Sequence, residues 1–328
     1  MQDVARRAGV SQSTVSFVIN DVQAGRIAAS TRARVLKAAD ELGYRPRARG
    51  RHAAGQRHPW IGMLVDEIAT SPWAALSAEG AQEAAWGLGR LFAVAMTGGQ
   101  PDLEEALIDS WSAQGVEGVI YATILTRKVE PPARLKDLPT VLLNCHTDDS
   151  RYPSVVPAER MGGFAATQAL IEAGHRRIGM INGEPWMEAA RDRLQGYRQA
   201  LASHDLAFEP ALVRDGNFLA SGGYEHARAL MAHDQRPTAL FCANDQMAIG
   251  AYEALKELGL AIPGDVAVMG YDDQEVAQHL NPKLSSVVLP HQEMGRWAAD
   301  YLITTLAHGQ GAPVQIKLDC PLVLRESV

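Results

Sequence analysis

Two periodicities divide the chain. Over the first 44 residues apolar side chains recur at helical spacing, and from Pro59 onward short apolar runs alternate with helix-patterned stretches. Val4, Ala5 and Ala8 mark a first helix with one small-residue face. Val15, Val18 and Ile19, at i, i+3 and i+4, mark a second. Val35, Leu36, Ala39 and Leu42 mark a third, over about Thr31 to Leu42, that ends at Gly43. Gly9 permits the turn between the first two, and Ser11 is placed to cap the second by accepting a hydrogen bond from an early backbone N–H. The pattern predicts a helix-turn-helix with a supporting third helix. Its second helix turns Gln12, Ser13, Ser16, Phe17 and Asn20 outward, a small polar front of the size that enters a major groove.

In the rest of the chain WIGMLV, LFAVAMT, VEGVIYAT and TVLLNC read as buried strands, with helices near Ala74 to Leu88 and Leu103 to Gln114 between them. The pattern restarts with RIGMING, a helix to Ser203, ALVRDG, a helix to His233, ALFCAND, a helix to Leu258 and VAVMGYDD. Two successive βα series predict two doubly wound parallel-sheet lobes with a ligand crevice between them at the strand C-termini. Between head and body, Arg45, Arg47, Arg49, Arg51 and Arg57 crowd a stretch in which Pro46 blocks the third helix and Gly50 and Gly55 keep the backbone free. The expected domains are a headpiece at 1–44, a basic linker at 45–58 and a two-lobed core at 59–328.

Charge sharpens this division. The chain carries −7 overall, yet residues 1–58 hold ten arginines and Lys37 against only Asp3, Asp21, Asp40 and Glu41, so a basic head sits on an acidic body. That polarity fits a module that grips a polyanion joined to one that avoids it, with nucleic acid as the favoured partner. No apolar run is long enough to span a membrane, and the start lacks a basic-then-apolar secretory pattern, so a cytoplasmic protein is expected. Cys145, Cys242 and Cys320 are far apart and read as buried thiols. Phosphate-loop, HExxH and GxSxG motifs are missing, GLGRLF precedes its strand, and His175 in GHRRIG reads as a structural corner. No enzyme, cofactor or metal site is expected.

The segments DVARRAGVS…TVS.VIN and TRARVLKAADELGYRP resemble the DNA-binding headpiece of the lactose-repressor (LacI/GalR) family. The likeness runs on through AGHRRIGMING, ARDRLQGY, FCANDQMAIGAYEALKELGLAIPGDVAVMGYDD and LSSVVLP to about Arg325. It implies an all-α headpiece on an α/β core resembling periplasmic sugar-binding proteins, with an effector in the interlobe cleft. In the headpiece it implies base reading by Gln12, Ser13 and Phe17, and phosphate contact by Thr14, Ser16 and Asn20. In the linker it implies phosphate or minor-groove contact by Arg47, Arg49 and Arg51, with Ala53 at the position where the family inserts a leucine wedge. Gly50 replaces a helix-favouring Ala at a cost of roughly 1 kcal/mol, so hinge folding is less favourable here. Phe17 stands where the lactose repressor has Arg, so an apolar contact replaces a guanine contact. The loop from Asp21 to Ser30 is about two residues longer than in that repressor, and the first helix lacks its usual cap, so a natural start a few codons upstream is an expectation of the resemblance.

For the core, the resemblance implies that Arg193, Asn244 and Asp272 hold the effector, that Phe218 stacks on it, and that Asn144 joins them. Asp66 and Trp73 flank the first-lobe loop DEIATSPW and complete the set. Each has a structural alternative: Asn244 as a helix cap, Asp272 as a turn, Phe218 as core, Arg193 as partner of a helix carboxylate. The expectation is a homodimeric regulator, a repressor of a near-palindromic operator on double-stranded DNA, that answers to a sugar; a purine or nucleoside co-repressor is the alternative. The tail CPLVLRESV has no leucine heptad, so the tetramer-forming extension of the lactose repressor is not expected. A solute-binding transport protein, the rival of another class, predicts an export signal and no basic head. In gel-retardation assays at several salt concentrations, duplex binding is expected to weaken steeply as salt rises, and binding indifferent to salt overturns phosphate-dominated association. Gln12→Ala is expected to change the preferred operator more than the nonspecific affinity.

Overall fold

The computed structural model describes residues 2–10, 14, 15, 18, 28–41, 58–67, 72–309 and 313–328. Contacts separate residues 1–57 from 58–328. In the first unit, helices α1 (Gln2–Ala8) and α2 (Ala29–Glu41) bury Val4, Ala8, Val15, Val18 and Val35 in one small core. The third-helix face is rotated from the one its spacing suggested. Leu36 is 48 % exposed, and Ala38 and Ala39 are buried instead, because i+3 and i+4 from Val35 share its face while i+1 lies about a quarter-turn away. Arg7 ties the ends of the two helices together through Glu41 at 2.9 Å.

The second unit holds two six-stranded sheets of matching order. In the first lobe β1 (Trp60–Val65) lies between β2 (Leu91–Met96) and β3 (Val119–Lys128), followed outward by β4 (Thr140–His146), β5 (Ser154–Pro157) and β11 (Gln315–Leu318). In the second, β6 (Ile178–Asn182) lies between β7 (Val213–Asp215) and β8 (Ala239–Cys242), followed by β9 (Ala267–Asp272), β10 (Ser285–Val288) and β12 (Leu322–Val323). All pairs are parallel except β10 with β12. Strands β6, β8 and β9 are buried along their whole length, as a sheet covered by helices on both faces requires. All three cysteines are free and buried.

Strand-and-helix alternation alone would give each lobe one continuous stretch. The chain instead crosses between lobes after Pro157, after Val288 and after Leu318, so the late helix His291–Thr304 and strand β11 return to the first lobe. The helices are α3 (Pro72–Gly87), α4 (Pro101–Ala113), α5 (Glu159–Glu172), α6 (Glu188–Ser203), α7 (Ala220–Met231), α8 (Asp245–Glu257) and α9 (His291–Thr304).

Three helix pairs approach so closely that each member offers a glycine to the other's backbone. A Cβ on Gly80 would meet Gln292 O at 1.9 Å, and one on Gly295 would meet Ser77 O at 1.9 Å. Gly163 and Gly196 relate α5 to α6 in the same way, with Arg193 O at 2.5 Å and Arg160 O at 2.2 Å. Gly223 and Gly250 do so for α7 and α8. The obstacles are main-chain atoms, so an added methyl must push two helices apart. Gly196→Ala is therefore expected to lower stability by about 1–3 kcal/mol in urea unfolding. Gly87→Ala, which faces open space, is expected to leave the midpoint nearly unchanged.

Candidate functional site

The carboxyl ends of the strands in both lobes face a common cavity of about 460 Å³. Six of the seven core residues singled out from the sequence line it: Trp73 and Asn144 from the first lobe, and Arg193, Phe218, Asn244 and Asp272 from the second. Asp66 does not. Its Oδ1 accepts from Ile124 N at 3.0 Å and its Oδ2 pairs with Arg127 at 3.0 Å, so it clamps the bulged end of β3 that brings Ile124, Leu125 and Thr126 to the cavity wall. The headpiece and linker residues Gln12, Ser13, Ser16, Phe17, Asn20, Arg47, Arg49, Arg51 and Ala53 lie outside the described residues. Thr14 is described, helical and half-buried.

Arg193 anchors the second-lobe wall from the buried face of α6. Its Nε donates to Glu159 Oε2 at 2.8 Å and its Nη2 to Glu159 Oε1 at 2.9 Å, a bidentate fork, while Nη1 donates to Ala243 O. The guanidinium lies 3.7 Å over the Tyr271 ring and 5.9 Å from Phe218. A guanidinium has five N–H donors, so two remain after these three bonds. Glu159 opens α5 directly after the first crossover, and both side chains are 4 % exposed. The structural alternative for Arg193, a helix carboxylate partner, holds alongside its place on the cavity wall.

Asp272 sits 3.8 Å from Arg193 Nη1, yet burial pushes its carboxyl well above the ordinary range. Arg193 acts the other way but is outweighed, because its charge is already answered by Glu159. Asp245, pushed up to about 7 by burial, holds the turn beyond Asp272: it accepts from Ser286 Oγ at 2.6 Å and from Gln274 N at 2.7 Å. Asn244 caps a helix and also lines the cavity. Its Oδ1 caps α8 by accepting from Met247 N at 2.9 Å, and its Nδ2 donates to Phe218 O at 2.9 Å while facing the cavity. Asn144 donates to Thr123 O at 3.0 Å and Ile124 O at 2.6 Å and accepts from Thr126 Oγ1 at 2.6 Å.

Backbone strain concentrates at the same residues. Asn144, Phe218 and Asp272 all have positive φ, at 60°, 58° and 103°. Asn and Asp tolerate that region, but a phenylalanine there is a real outlier. Two contacts hold it: the Asn244 bond to its carbonyl, and a ring packed so tightly on Gly183 that a Cβ there would lie 1.9 Å away.

Neither Glu159 nor His291, which stand just after the first and second crossovers, is marked by any motif or spacing in the chain. His291 lines the cavity beside Trp73 and approaches Ser77 Oγ at 3.5 Å. Burial lowers its pKa from 6.5 to about 4. The neutral ring is the folded form, so below pH 6.5 the unfolded chain takes up the proton first. The contribution of His291 to stability is therefore full above pH 6.5, falls as the pH drops toward 4, and flattens below that, a loss of about 3 kcal/mol from this group. Denaturant titrations from pH 7 to pH 4 are expected to show a shallower loss in His291→Gln than in the unchanged chain; equal slopes overturn the assignment. Among the described residues no three His, Cys, Asp or Glu side chains gather to hold a metal ion, and no helix is long and apolar enough to cross a membrane.

Comparison with known proteins agrees with this geometry. Residues 1–47 match the bacterial regulatory proteins of the lacI family, and residues 167–328 match a periplasmic binding protein-like domain. The chain is 33 % identical to the ribose operon repressor of Haemophilus influenzae, over 100 % of this chain and 98 % of that protein. It is 32 % identical to the transcriptional repressor PurR of Vibrio campbellii, over 100 % and 98 %. Among solved structures, the regulator CelR in complex with cellobiose superposes with a TM-score of 0.69 at 32 % identity, covering 100 % of this chain and 99 % of that one. The lac repressor dimer bound to operator and the anti-inducer ONPF gives 0.69 at 29 % identity, over 99 % and 97 %. With whole-length likeness to repressors and a headpiece and core both matched, the chain belongs to the LacI family of bacterial regulatory proteins.

Proposed function

We propose that the protein is a cytoplasmic, homodimeric repressor that binds a near-palindromic operator and answers to a neutral sugar held between the lobes of its core, without cofactor or catalysis. One observation carries the reading. A single cavity gathers donors, acceptors and an aromatic face from both lobes, so one small molecule can bridge Asn144 and Trp73 on one side to Arg193, Asp272 and Phe218 on the other. The two free N–H groups of Arg193 and the carboxyl of Asp272 offer donor and acceptor side by side, the pairing that a sugar diol needs. Effector bound in this way favours one lobe arrangement and changes operator affinity through the linkers, as a shift of population.

The polar groups also select on charge. Arg193, already matched by Glu159, is the lone Arg or Lys among the described lining residues, while Asp272 adds a further carboxyl. A phosphorylated or acidic sugar would therefore enter a site without a free counter-charge. Catalysis is disfavoured by the one serine–histidine approach near the cavity. Ser77 and His291 are 3.5 Å apart, and among the described residues no carboxylate hydrogen-bonds to that ring to orient it. A purine co-repressor has a specific feature in its favour, the apolar and aromatic walls at Trp73, Leu289 and Phe218, and PurR is among the relatives.

Thermal-shift screening with sugars, sugar phosphates and purine nucleosides tests the reading, because a ligand of the folded state raises the melting temperature. Neutral sugars are expected to stabilise the chain and sugar phosphates are not. Arg193→Ala and Asp272→Ala are expected to abolish the ligand response while operator retardation persists. A full response in both variants overturns the assigned roles, and stabilisation by purines alone replaces the sugar reading.

A further inference from the structure

Two glutamines join Asp272 on the cavity wall, Gln246 from the first turn of α8 and Gln274 from the turn beyond β9. They form a chain that ends on its carboxyl. Gln246 Nε2 donates to Gln274 Oε1 at 3.0 Å, and Gln274 Nε2 donates to Asp272 Oδ2 at 3.3 Å. The main chain fixes the middle member. Gln274 N donates to Asp245 Oδ2 at 2.7 Å, and Asp272 and Asp273 before it both have positive φ, at 103° and 49°.

Such a chain can run in two directions, because the donor and acceptor of an amide exchange places when it turns over. In the direction observed, a Gln274 N–H meets the Asp272 carboxyl and the carbonyl oxygen of Gln246 is left for a ligand. With both amides turned over, Gln274 Oε1 accepts from a protonated Asp272 Oδ2, Gln274 Nε2 donates to Gln246 Oε1, and the N–H of Gln246 is left instead. Each direction makes two bonds. The wall therefore holds the acid or the carboxylate without stranding a polar group.

The charges around Asp272 oppose one another. Arg193 on α6 and the Gln274 N–H favour the carboxylate, while Asp245 on α8 and Glu159 on α5 favour the acid. Asp273 is answered by Arg325 at 2.6 Å, and His291 on α9 takes up a proton only near pH 4. Burial is the largest influence, so the acid is favoured without a ligand. A ligand hydroxyl that donates to Asp272 tips the balance toward the carboxylate, because a hydrogen bond to the charged form stabilises it.

We propose that Gln274 is the positioning residue for Asp272, and that the Gln246–Gln274 chain, by turning over, couples effector binding to release of a proton from Asp272 to solvent. This rests on the reading of the cavity as a sugar site, in which a hydroxyl donates to that carboxyl. The bound state then has the carboxylate facing the Gln274 N–H, with the Gln246 oxygen turned to the ligand. The carboxyl loses its proton more readily with the ligand than without it, so affinity rises with pH between the two pKa values and is level on either side.

Isothermal titration of the full-length chain tests the coupling, with whichever of ribose, glucose, galactose and cellobiose raises its melting temperature most. Run at pH 7 in PIPES and in Tris, whose ionisation heats differ, it counts the protons released. The unchanged chain is expected to release about half a proton and to bind about ten-fold more tightly at pH 8 than at pH 6, the gain that this release implies. Gln274→Met and Gln274→Ala, checked for an unchanged melting temperature, are expected to lose most of that release and most of the pH profile. Both keep the main-chain N–H held by Asp245, so any proton exchanged at Asp245, itself raised to about 7, remains and only the share of Asp272 is removed. A count near zero or of opposite sign in the unchanged chain, or a release that both variants keep, overturns the proposal and leaves the sugar reading standing. If none of the four sugars binds a chain that still retards duplex DNA, the sugar reading fails and the coupling falls with it.

Discussion

The buried ion pair between Glu159 and Arg193 is the contact on which the second-lobe wall of the cavity depends. Removing two charges from water is costly, and only the bidentate geometry with its added bond to Ala243 offsets that cost. The pair can form because Gly163 and Gly196 let α5 and α6 approach to backbone contact, which sets Arg193 over the first turn of α5. It also reaches beyond the helices. Glu159 follows the first crossover directly, Ala243 follows β8, and Tyr271 beneath the guanidinium belongs to β9. One side chain thus registers a hinge, two strand ends and a helix pair. Its remaining N–H groups are held rigidly, so a ligand meets donors that need no further ordering.

Strain is the second sign that these strand ends are built for binding. A phenylalanine with φ of 58° has no local reason to adopt that conformation, and the chain must hold it there through Asn244 and Gly183. The result turns an aromatic face into the cavity from the loop after β7. The same division of labour recurs in the first lobe, where Asp66 and Asn144 both bond to the Thr123–Arg127 bulge and shape it. Residues that hold the wall are as necessary as those that present it. Asp66, grouped by sequence with the effector ligands, belongs to the first kind.

Much of this was legible in the sequence for identifiable reasons. The strands are apolar runs buried on both faces, so most of their ends could be read within a residue or two, though β3 runs on to Lys128, five residues past the apolar run that announced it, and Asn144, Asn244 and Asp272 stand at or just beyond strand ends. The small-residue spacing of the headpiece announced its core, with Leu36 misplaced because four neighbouring apolar positions overfill one helical face. The crossovers were not legible. Hydrophobic alternation records that a strand is buried, not which sheet buries it, and so the return of α9 and β11 to the first lobe left no trace. Glu159 and His291 were missed for that reason, since both take their roles from following a crossing.

That topology also bears on how a bound molecule could be felt elsewhere. A ligand shifts a conformational equilibrium only by as much as its contacts differ between the two states. Contacts to the middle of a rigid lobe differ little, whereas contacts at the strands joining the lobes change with any relative motion. Here Pro157 and Glu159 flank the first crossing, Leu289 and His291 the second, and all four line the cavity. A molecule held in that cavity therefore meets the first two of the three crossings, and the bond from His146 to Glu188 also runs from one lobe to the other. The coupling needs no path through either core, because the binding site and the hinge are built from the same residues.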